Sequence, residues 1–343
     1  MNMTEVTEYK DLTLDLTVDM LYECKCALIL FHVHPDGDAV GSAFALKKTL
    51  ELVGKQAYCL CADELPERLA FAMEGSQDSV LEASLPKDFT PDLVLSVDSA
   101  SPSQLGALYE KYKNSIRLMI DHHGKGTVYA DSYVLPKASS CGEVLYDIIG
   151  RLVHRYGKML NREICTLVYM AVSSDTGCFR YNNVSEHTHL LAARLIGEGV
   201  PSADINHRLF GIKTLKQMQV EHAGFERMNL YCSGRVAIIT FPYDLKKQYG
   251  AEDENLETLI DVARCVKGVE VAAAIRQPTE ENKFRVSLRS SVDFDVSAVC
   301  ALYGGGGHER AAGCTLNSDS ILAAEMTVVA AVETRLLSED EED

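Results

Sequence analysis

This 343-residue chain is predicted to hold an N-terminal doubly wound, mainly parallel α/β sheet over 1–190 and a smaller α/β domain over 229–337. A helical linker over 191–228 joins them, and an acidic tail occupies 338–343. Three observations predict this arrangement. Apolar runs at 27–33, 57–61, 93–97 and 116–120 alternate with helical patterns in the first half. The alternation stops after Asp175, where a long helical stretch begins. A second alternating unit opens at Arg235.

The run at 27–33 is continuously apolar, as a strand buried on both faces of a parallel sheet must be. A Pro35-Asp36-Gly37-Asp38 turn follows, then a helix over 39–53 stopped by Gly54. The runs 57–61, 93–97 and 116–120 read as further strands. Between the last two a helix opens at Ser101-Pro102, with Ser as N-cap and Pro in the first helical position. Helices over 141–156 and 162–172 come next, the second capped by Asn161. This βαβ rhythm implies a doubly wound parallel sheet with right-handed crossovers. Residues 186–228 are helical in pattern, interrupted at Gly199-Val200-Pro201 and Gly211. The second unit then reads as strand 236–241, helix 255–266, strands 269–276 and 284–289, and a helix over 296–303. Gly304-Gly305-Gly306-Gly307 and a final helix over 321–337 complete it. There is no internal repeat.

Composition narrows the function classes. Hydrophobic content of 47% with 24% charged residues is that of a globular protein. The formal net charge is −17, part of it in the tail Ser338-Glu339-Asp340-Glu341-Glu342-Asp343, which reads as a solvated, mobile end. Such a chain does not coat long nucleic acid through nonspecific charge. A polyanionic substrate must therefore be short, or held by a local cationic pocket and bound metal. No apolar run approaches the roughly 20 residues of a membrane span, and the polar, acidic 1–17 segment is not a signal peptide. The eleven cysteines lie in apolar stretches, Cys24, Cys26, Cys59, Cys61, Cys165, Cys265 and Cys300 among them. Without a secretory signal they read as buried, reduced thiols of a cytoplasmic protein. Cys24-Lys25-Cys26 and Cys59-Leu60-Cys61 lack the second pair that a zinc site needs.

The chemistry gathers at element ends. The first strand delivers His32, with Asp36 and Asp38 in the turn beyond it. The third ends in Asp98, the fourth in Asp121-His122-His123, and the 162–172 helix runs into Asp175-Thr176-Gly177. Open α/β sheets bind ligands at the carboxyl ends of their strands. Strand alternation would put His34 on the same face as His32. Imidazole with carboxylate suits Mn²⁺, Fe²⁺, Co²⁺ or Zn²⁺. One carboxylate can bridge two ions about 3.5–4 Å apart, the geometry of two-metal hydrolysis by activated water. Each residue alone has a plainer role. Asp36-Gly37 would serve as a tight turn, Asp98 as a capping group for the Ser101 helix, Asp175 as a helix end, and His34 or His123 as satisfied polar residues. Their coincidence at element ends argues for one shared site.

A second constellation is Gly304-Gly305-Gly306-Gly307-His308-Glu309-Arg310. Glycines allow backbone N–H groups to approach an anion closely, and a helix end adds a favourable dipole. A flexible linker is the alternative. Arg289, closing the 284–289 strand, is a candidate phosphate fork, or else a surface arginine. A metal site in one domain and an anion cradle in the other suggest phosphoester cleavage.

At these residues the chain resembles the DHH/DHHA1 phosphoesterase superfamily, over both domains and almost end to end. It is most similar to the compact standalone nanoRNase (oligoribonuclease)/pAp phosphatase members, more than to the longer exonucleases. The first motif, His-x-x-x-Asp-x-Asp, is matched by His32, Asp36 and Asp38, the second by Asp98, and the signature by Asp121-His122-His123. The fourth, Asp-Thr-Gly-x-Phe-Arg, is matched by Asp175-Thr176-Gly177-Cys178-Phe179-Arg180. The position two beyond the first His, often Asn in the family, is His34 here. The resemblance implies one metal on His32, Asp36 and Asp98 and another on Asp38, Asp98, His122 and Asp175, with Asp98 bridging. Two Mn²⁺ ions per chain are implied, with Mg²⁺ or Co²⁺ as alternatives. His123 would contact substrate phosphate and Asp121 would support both histidines. Gly305, Gly306, Gly307, His308 and Arg289 would hold the terminal phosphate and nucleotide.

The implied activity is 3′-to-5′ hydrolysis of very short oligoribonucleotides to 5′-mononucleotides, with dephosphorylation of pAp. Cyclic or linear dinucleotides (c-di-AMP, pApA, pGpG) are the alternative substrates, and inorganic pyrophosphate is a further one. A catalytically silent nucleotide-binding protein would have lost a ligand, and none is missing. No long nucleic acid and no membrane enter this reading, and homodimerisation is a family-level expectation.

Overall fold

The computed structural model describes residues 9–73 and 80–340. The first residues of the N-terminal segment, 1–8, and the end of the acidic tail, 341–343, lie outside the described residues. The chain divides between Ile212 and Lys213 into two compact units.

Unit 1 begins with α1 (Leu14–Glu23), which the sequence reading had not anticipated. Thr13 caps it by accepting from the backbone N–H of Leu16 at 3.3 Å, and its Thr17, Val18 and Leu21 are buried at helical spacing. Then come β1 (Cys26–Leu30), α2 (Gly37–Leu52), β2 (Gln56–Leu60), β3 (Leu93–Val97), α3 (Ala107–Tyr112) and β4 (Ile116–Asp121). A short strand β5 (Asp131–Val134), also not anticipated, pairs with β4 and closes the sheet. It is followed by α4 (Cys141–Arg155), α5 (Arg162–Asp175), α6 (Glu186–Gly197) and α7 (Ser202–Asn206).

The five strands run in the order β2-β1-β3-β4-β5, and every pairing is parallel. Helices cover both faces, as parallel strands without polar alternation require. On one side α2, α4 and α5 bury Ile29, Phe31, Leu95, Leu118 and Ile120. On the other, Leu105, Leu108 and Tyr129 cover Leu28, Leu30, Val94 and Met119. Each such Leu, Ile or Val contributes about 1.5–3 kcal/mol on full burial.

Three boundaries differ from expectation, each with a local cause. β1 stops at Leu30 and not at 33: Phe31 still donates to Leu60 O at the end of β2, but Val33 donates to Gln104 O, outside the sheet. α2 starts at Gly37 because the Asp36 side chain caps it. The helix expected at Ser101-Pro102 is a 3₁₀ turn over Pro102–Leu105, separated from α3 by Gly106 at φ 56°.

Unit 2 contains α8 (Leu215–Glu226), β6 (Met228–Tyr231), β7 (Val236–Phe241), α9 (Tyr243–Tyr249), α10 (Leu259–Arg264) and β8 (Val271–Arg276). It continues with β9 (Lys283–Ser290), α11 (Val296–Ala301), β10 (Gly306–His308), β11 (Ala311–Asn317) and α12 (Ile321–Asp340). Its six strands are ordered β10-β11-β9-β8-β7-β6, and only β7 and β8 pair in parallel. The helix expected over 255–266 is a 3₁₀ turn, Asp253–Leu256, followed by α10. The glycine run does not lead into a helix. It forms β10, one arm of an antiparallel hairpin with β11. The last helix takes in the first three residues of the acidic stretch.

All eleven cysteines are free and six are buried, but Cys265 is exposed, contrary to the expectation for it. Among the described residues no helix is long and apolar enough to cross a membrane.

Candidate metal centre

The strand order 2-1-3-4-5 reverses direction between β1 and β3, and open sheets hold ligands in the crevice outside the strand ends at such a point. His32 lies two residues beyond β1, Asp98 directly beyond β3, and Asp121 closes β4. Asp36 and Asp38 come from the start of α2, and Asp175 is the last residue of α5.

Three groups of potential ligands form there, each with donor atoms within 4.8 Å of one another: His32, Asp36 and Asp98; Asp38, His122 and Asp175; and Asp98, Asp121, His122 and His123. His32 donates its Nδ1–H to Val33 O at 2.8 Å. That leaves its Nε2 turned inward, 3.7 Å from Asp36 Oδ1 and 3.6 Å from Asp98 Oδ2. His122 is oriented in the same way by Ala138 O at 3.2 Å. Its Nε2 lies 3.8 Å from Asp38 Oδ2, 3.6 Å from Asp98 Oδ1 and 3.5 Å from Asp175 Oδ2. Fixing one ring nitrogen on a backbone carbonyl is how ligating imidazoles are usually set.

Asp98 joins the groups, one oxygen facing each histidine. It is 3% exposed, and its Oδ1 accepts no hydrogen bond from the described residues. Its backbone sits at φ 51°, a left-handed conformation that Asp tolerates better than most residues and that costs about 1–3 kcal/mol.

Asp36 caps α2 by accepting from Asp38 N and Ala39 N, both at 3.0 Å, so its turn role and its place in the first group coexist. Asp38 is fully buried. Burial, then the neighbouring Asp98 and Asp175 carboxylates, pushes its pKa well above the usual range. Burial, then Asp36 and Asp98, does the same to Asp175. Carboxylates gathered this closely, two of them enclosed, repel unless a cation sits among them. Converging carboxylate and imidazole donors with an enclosed, unbonded oxygen fit divalent metal.

Asp121 stands behind the histidines. Its Oδ1 accepts from His122 N at 2.7 Å, His123 N at 3.2 Å and His123 Nδ1 at 2.7 Å. Burial alone would lower the His123 pKa, but the Asp121 carboxylate raises it to about 9. His34 is turned away: β1 has ended before it, and its ring lies 3.1 Å from Asp63 Oδ2, largely exposed. The alternation argument that paired it with His32 fails for that reason.

Sequence reasoning missed the framework that holds these groups. Asp38 accepts from Cys141 N at 2.7 Å, Gly142 N at 3.0 Å and Ser42 Oγ at 2.9 Å, so the N-terminus of α4 grips a carboxylate on α2. Glu143 receives the Ser139 hydroxyl and N–H, Thr188 Oγ1 at 3.0 Å and His187 Nδ1 at 2.8 Å. Asn183 donates to Ser139 O at 2.8 Å and to Asp175 O at 3.1 Å. The Ser140-Cys141-Gly142-Glu143 run is a readable helix start, but nothing local tells what its amides face.

In unit 2, register places the expected phosphate-binding residues on one row across the sheet: His308 opposite Ala311, and Ala311 opposite Arg289. Gly305 and Gly307 are dictated by the hairpin. A Cβ on Gly305 would lie 2.2 Å from Gly313 O, and one on Gly307, at φ 140°, 2.5 Å from Ala311 O. A Cβ on Gly306 would meet nothing within 4 Å.

Comparison with known proteins agrees with this arrangement. The DHH family N-terminal domain matches residues 27–172, and the DHHA1 domain matches 234–336. A bifunctional oligoribonuclease and PAP phosphatase NrnA from Thermus thermophilus is 29% identical, over 90% of this chain and 89% of that protein. The protein of the same description from Bacillus subtilis is 27% identical, over 85% and 91%. The crystal structure of an exopolyphosphatase-related protein from Bacteroides fragilis shares the fold, with a TM-score of 0.83 at 22% identity, over 97% of this chain and 98% of that one. The chain thus carries a DHH domain followed by a DHHA1 domain.

Proposed function

We propose that this protein is a metal-dependent phosphoesterase that hydrolyses very short oligoribonucleotides to 5′-mononucleotides and removes the 3′-phosphate of pAp. The observation that carries the reading is Asp98, buried between His32 and His122 with one oxygen towards each. Two relatives that align over most of their length are described as bifunctional oligoribonucleases and PAP phosphatases.

His32, Asp36 and Asp98 would hold one ion, and Asp38, Asp98, His122 and Asp175 the other, with Mn²⁺ the expected metal. Bound there, divalent ions supply Lewis acidity towards phosphoryl oxygens and lower the pKa of water for in-line attack. The protein's part is orientation. Val33 O and Ala138 O fix the two imidazoles, the α4 amides fix Asp38, and Asp121 holds the His123 ring, which contacts a phosphate oxygen. In unit 2, Arg289 and His308 take the terminal phosphate, and Gly306 leaves room beside them. All the cysteines being free suits the reducing cytoplasm, where we place the enzyme.

The test is a set of 5′-labelled RNA dimers to pentamers, with pAp, pApA, c-di-AMP and pyrophosphate alongside, and with Mn²⁺, Mg²⁺ and Co²⁺ compared. Turnover of the short RNAs and pAp with Mn²⁺ is expected. Intact RNAs and pAp would sink the reading, and preferential turnover of c-di-AMP or pApA would move it to dinucleotides. Asp98→Ala and His122→Ala should each abolish turnover in folded protein. Arg289→Ala and His308→Ala should chiefly raise KM.

A further inference from the structure

From β7 to β11 the unit 2 sheet is apolar on one face. Phe284, Val286 and Leu288 of β9, with Ala312 and Leu316 of β11, join Val271, Ala273 and Ile275 of β8 in one core. The other face changes character across the sheet. Over β7 and β8 it carries Ile239, Phe241, Ala272 and Ala274, packed with Leu259 and Ala263 of α10. Over β9 the same face carries Arg285, Ser287 and Arg289, since residues alternate sides along a strand.

Arg276, at the end of β8, stands opposite Arg285 and so belongs to this face. Its Nη2 donates to Ser287 Oγ at 2.9 Å, while its Nε is enclosed and finds no hydrogen-bond acceptor among the described residues. Arg285 meets Asp253 Oδ2 at 3.0 Å, and that carboxylate is shared with Lys246 at 2.5 Å. The carboxylates acting on Arg276 are Glu257 and Asp253, against the like charges of Arg285 and Arg289; burial is the largest influence on it. Three guanidinium groups and an ammonium thus face two carboxylates. In a chain of net charge −17 such a cationic excess on one sheet face is a local feature that attracts polyanions.

The register gives this face a direction. His308 and Arg289 share a row, and Arg285 with Arg276 forms the row four residues further along β9. At about 3.3 Å per residue the two rows are roughly 13 Å apart, beyond the reach of one nucleotide held at Arg289.

We propose that Arg276 and Arg285 form a second phosphate subsite, which engages an internucleotide phosphate of substrates longer than the terminal nucleotide held at Arg289 and His308. This rests on the oligoribonucleotide reading above. A guanidinium fork suits two oxygens of a phosphate, and Ser287, already bonded to Arg276, orients it. The residue is a specificity determinant: it has no role on a ligand that ends at the first row.

The experiment compares wild type, Arg276→Ala and Arg276→Lys on a labelled pentaribonucleotide and on pAp. For Arg276→Ala, the ratio of kcat/KM on pentamer to that on pAp should fall about tenfold, through the pentamer KM, as expected for loss of a charged phosphate contact. Arg276→Lys should recover only part of it, because the fork is lost while the charge remains. Thermal melts identify any variant that fails to fold, in which case Arg285→Ala takes its place. An equal loss on both substrates, or no loss on the pentamer, overturns the proposal. Binding of a fluorescent pentamer and of 5′-AMP to His122→Ala, with and without Arg276→Ala, needs no turnover. Weaker pentamer binding alone supports the subsite even if the assigned activity is wrong, and unchanged pentamer binding refutes it.

Discussion

Asp38 Oδ2 accepts a 2.7 Å hydrogen bond from the backbone N–H of Cys141, 103 residues further along the chain. The bond ties the start of α4 to the start of α2, and Gly142 adds a second amide at 3.0 Å. Position 142 also lies tight against α5: a Cβ there would lie 2.4 Å from Ala171 Cβ and 3.6 Å from Asp38 Oδ1.

Gly142→Ala should therefore push α4 outward and loosen Asp38. Overpacking of this kind costs about 1–3 kcal/mol. A lower Tm is expected, together with a smaller rise in Tm on adding Mn²⁺ than wild type shows. A variant with the wild-type Tm and the wild-type metal response would contradict the grip assigned to α4.

Asp121→Asn keeps the size of the side chain and removes the charge that holds the His123 ring. Groups behind metal ligands typically matter by roughly 10–100-fold in metal affinity or activity, and a loss in that range is expected. Asp98→Ala, by contrast, should abolish turnover. Equal losses for the two would show that Asp121 acts directly and not through the histidines.

Glu143 offers a pH test. Burial would raise its pKa, but Ser139, His187 and Thr188 together hold it below the ordinary value of 4.5. A depressed carboxylate adds stability that is fully present above its unfolded pKa and lost as pH falls through the folded value. Glu143→Gln should thus be less stable at neutral pH, by about 1–3 kcal/mol for the disturbed buried bonds. Its unfolding free energy should also fall less steeply below pH 4.5 than that of wild type, followed by urea titration at several pH values. Parallel pH profiles would refute the assignment.

The glycines of the hairpin should separate by role. Gly307→Ala forces a Cβ to within 2.5 Å of Ala311 O at a positive φ, so unit 2 should lose stability. Gly306→Ala has open space around it and should leave Tm unchanged while raising KM for short RNA. If Gly306→Ala behaves like wild type in both respects, the space beside it does not receive substrate.

Much of this architecture is legible in the amino-acid order alone. The central strands announce themselves, because a parallel strand is buried on both faces and must be apolar throughout, as Leu93–Val97 is. The site residues are legible for the opposite reason: Asp98, Asp121 and His122 interrupt or close apolar runs where a buried charge has no structural excuse. β5 and β6 escaped because edge strands of four residues carry too few buried positions to set a period; α1 and β11 went unread as well, the buried set of α1 being part polar through Thr17. His34 does not share the His32 face because β1 ends at Leu30 and the Val33 N–H bonds to Gln104 O outside the sheet, so strand alternation does not reach it.

The sequence by itself determined which residue types stand at the element ends and how the apolar periods alternate, since both are local in the chain. Only the tertiary structure decided that α4 amides hold Asp38, that Asn183 ties Asp175 to Ser139, and that Arg276 shares a row with Arg285. Those relationships join residues far apart in sequence through sheet register and helix crossing, which depend on how whole elements pack and leave no mark on either neighbour's identity.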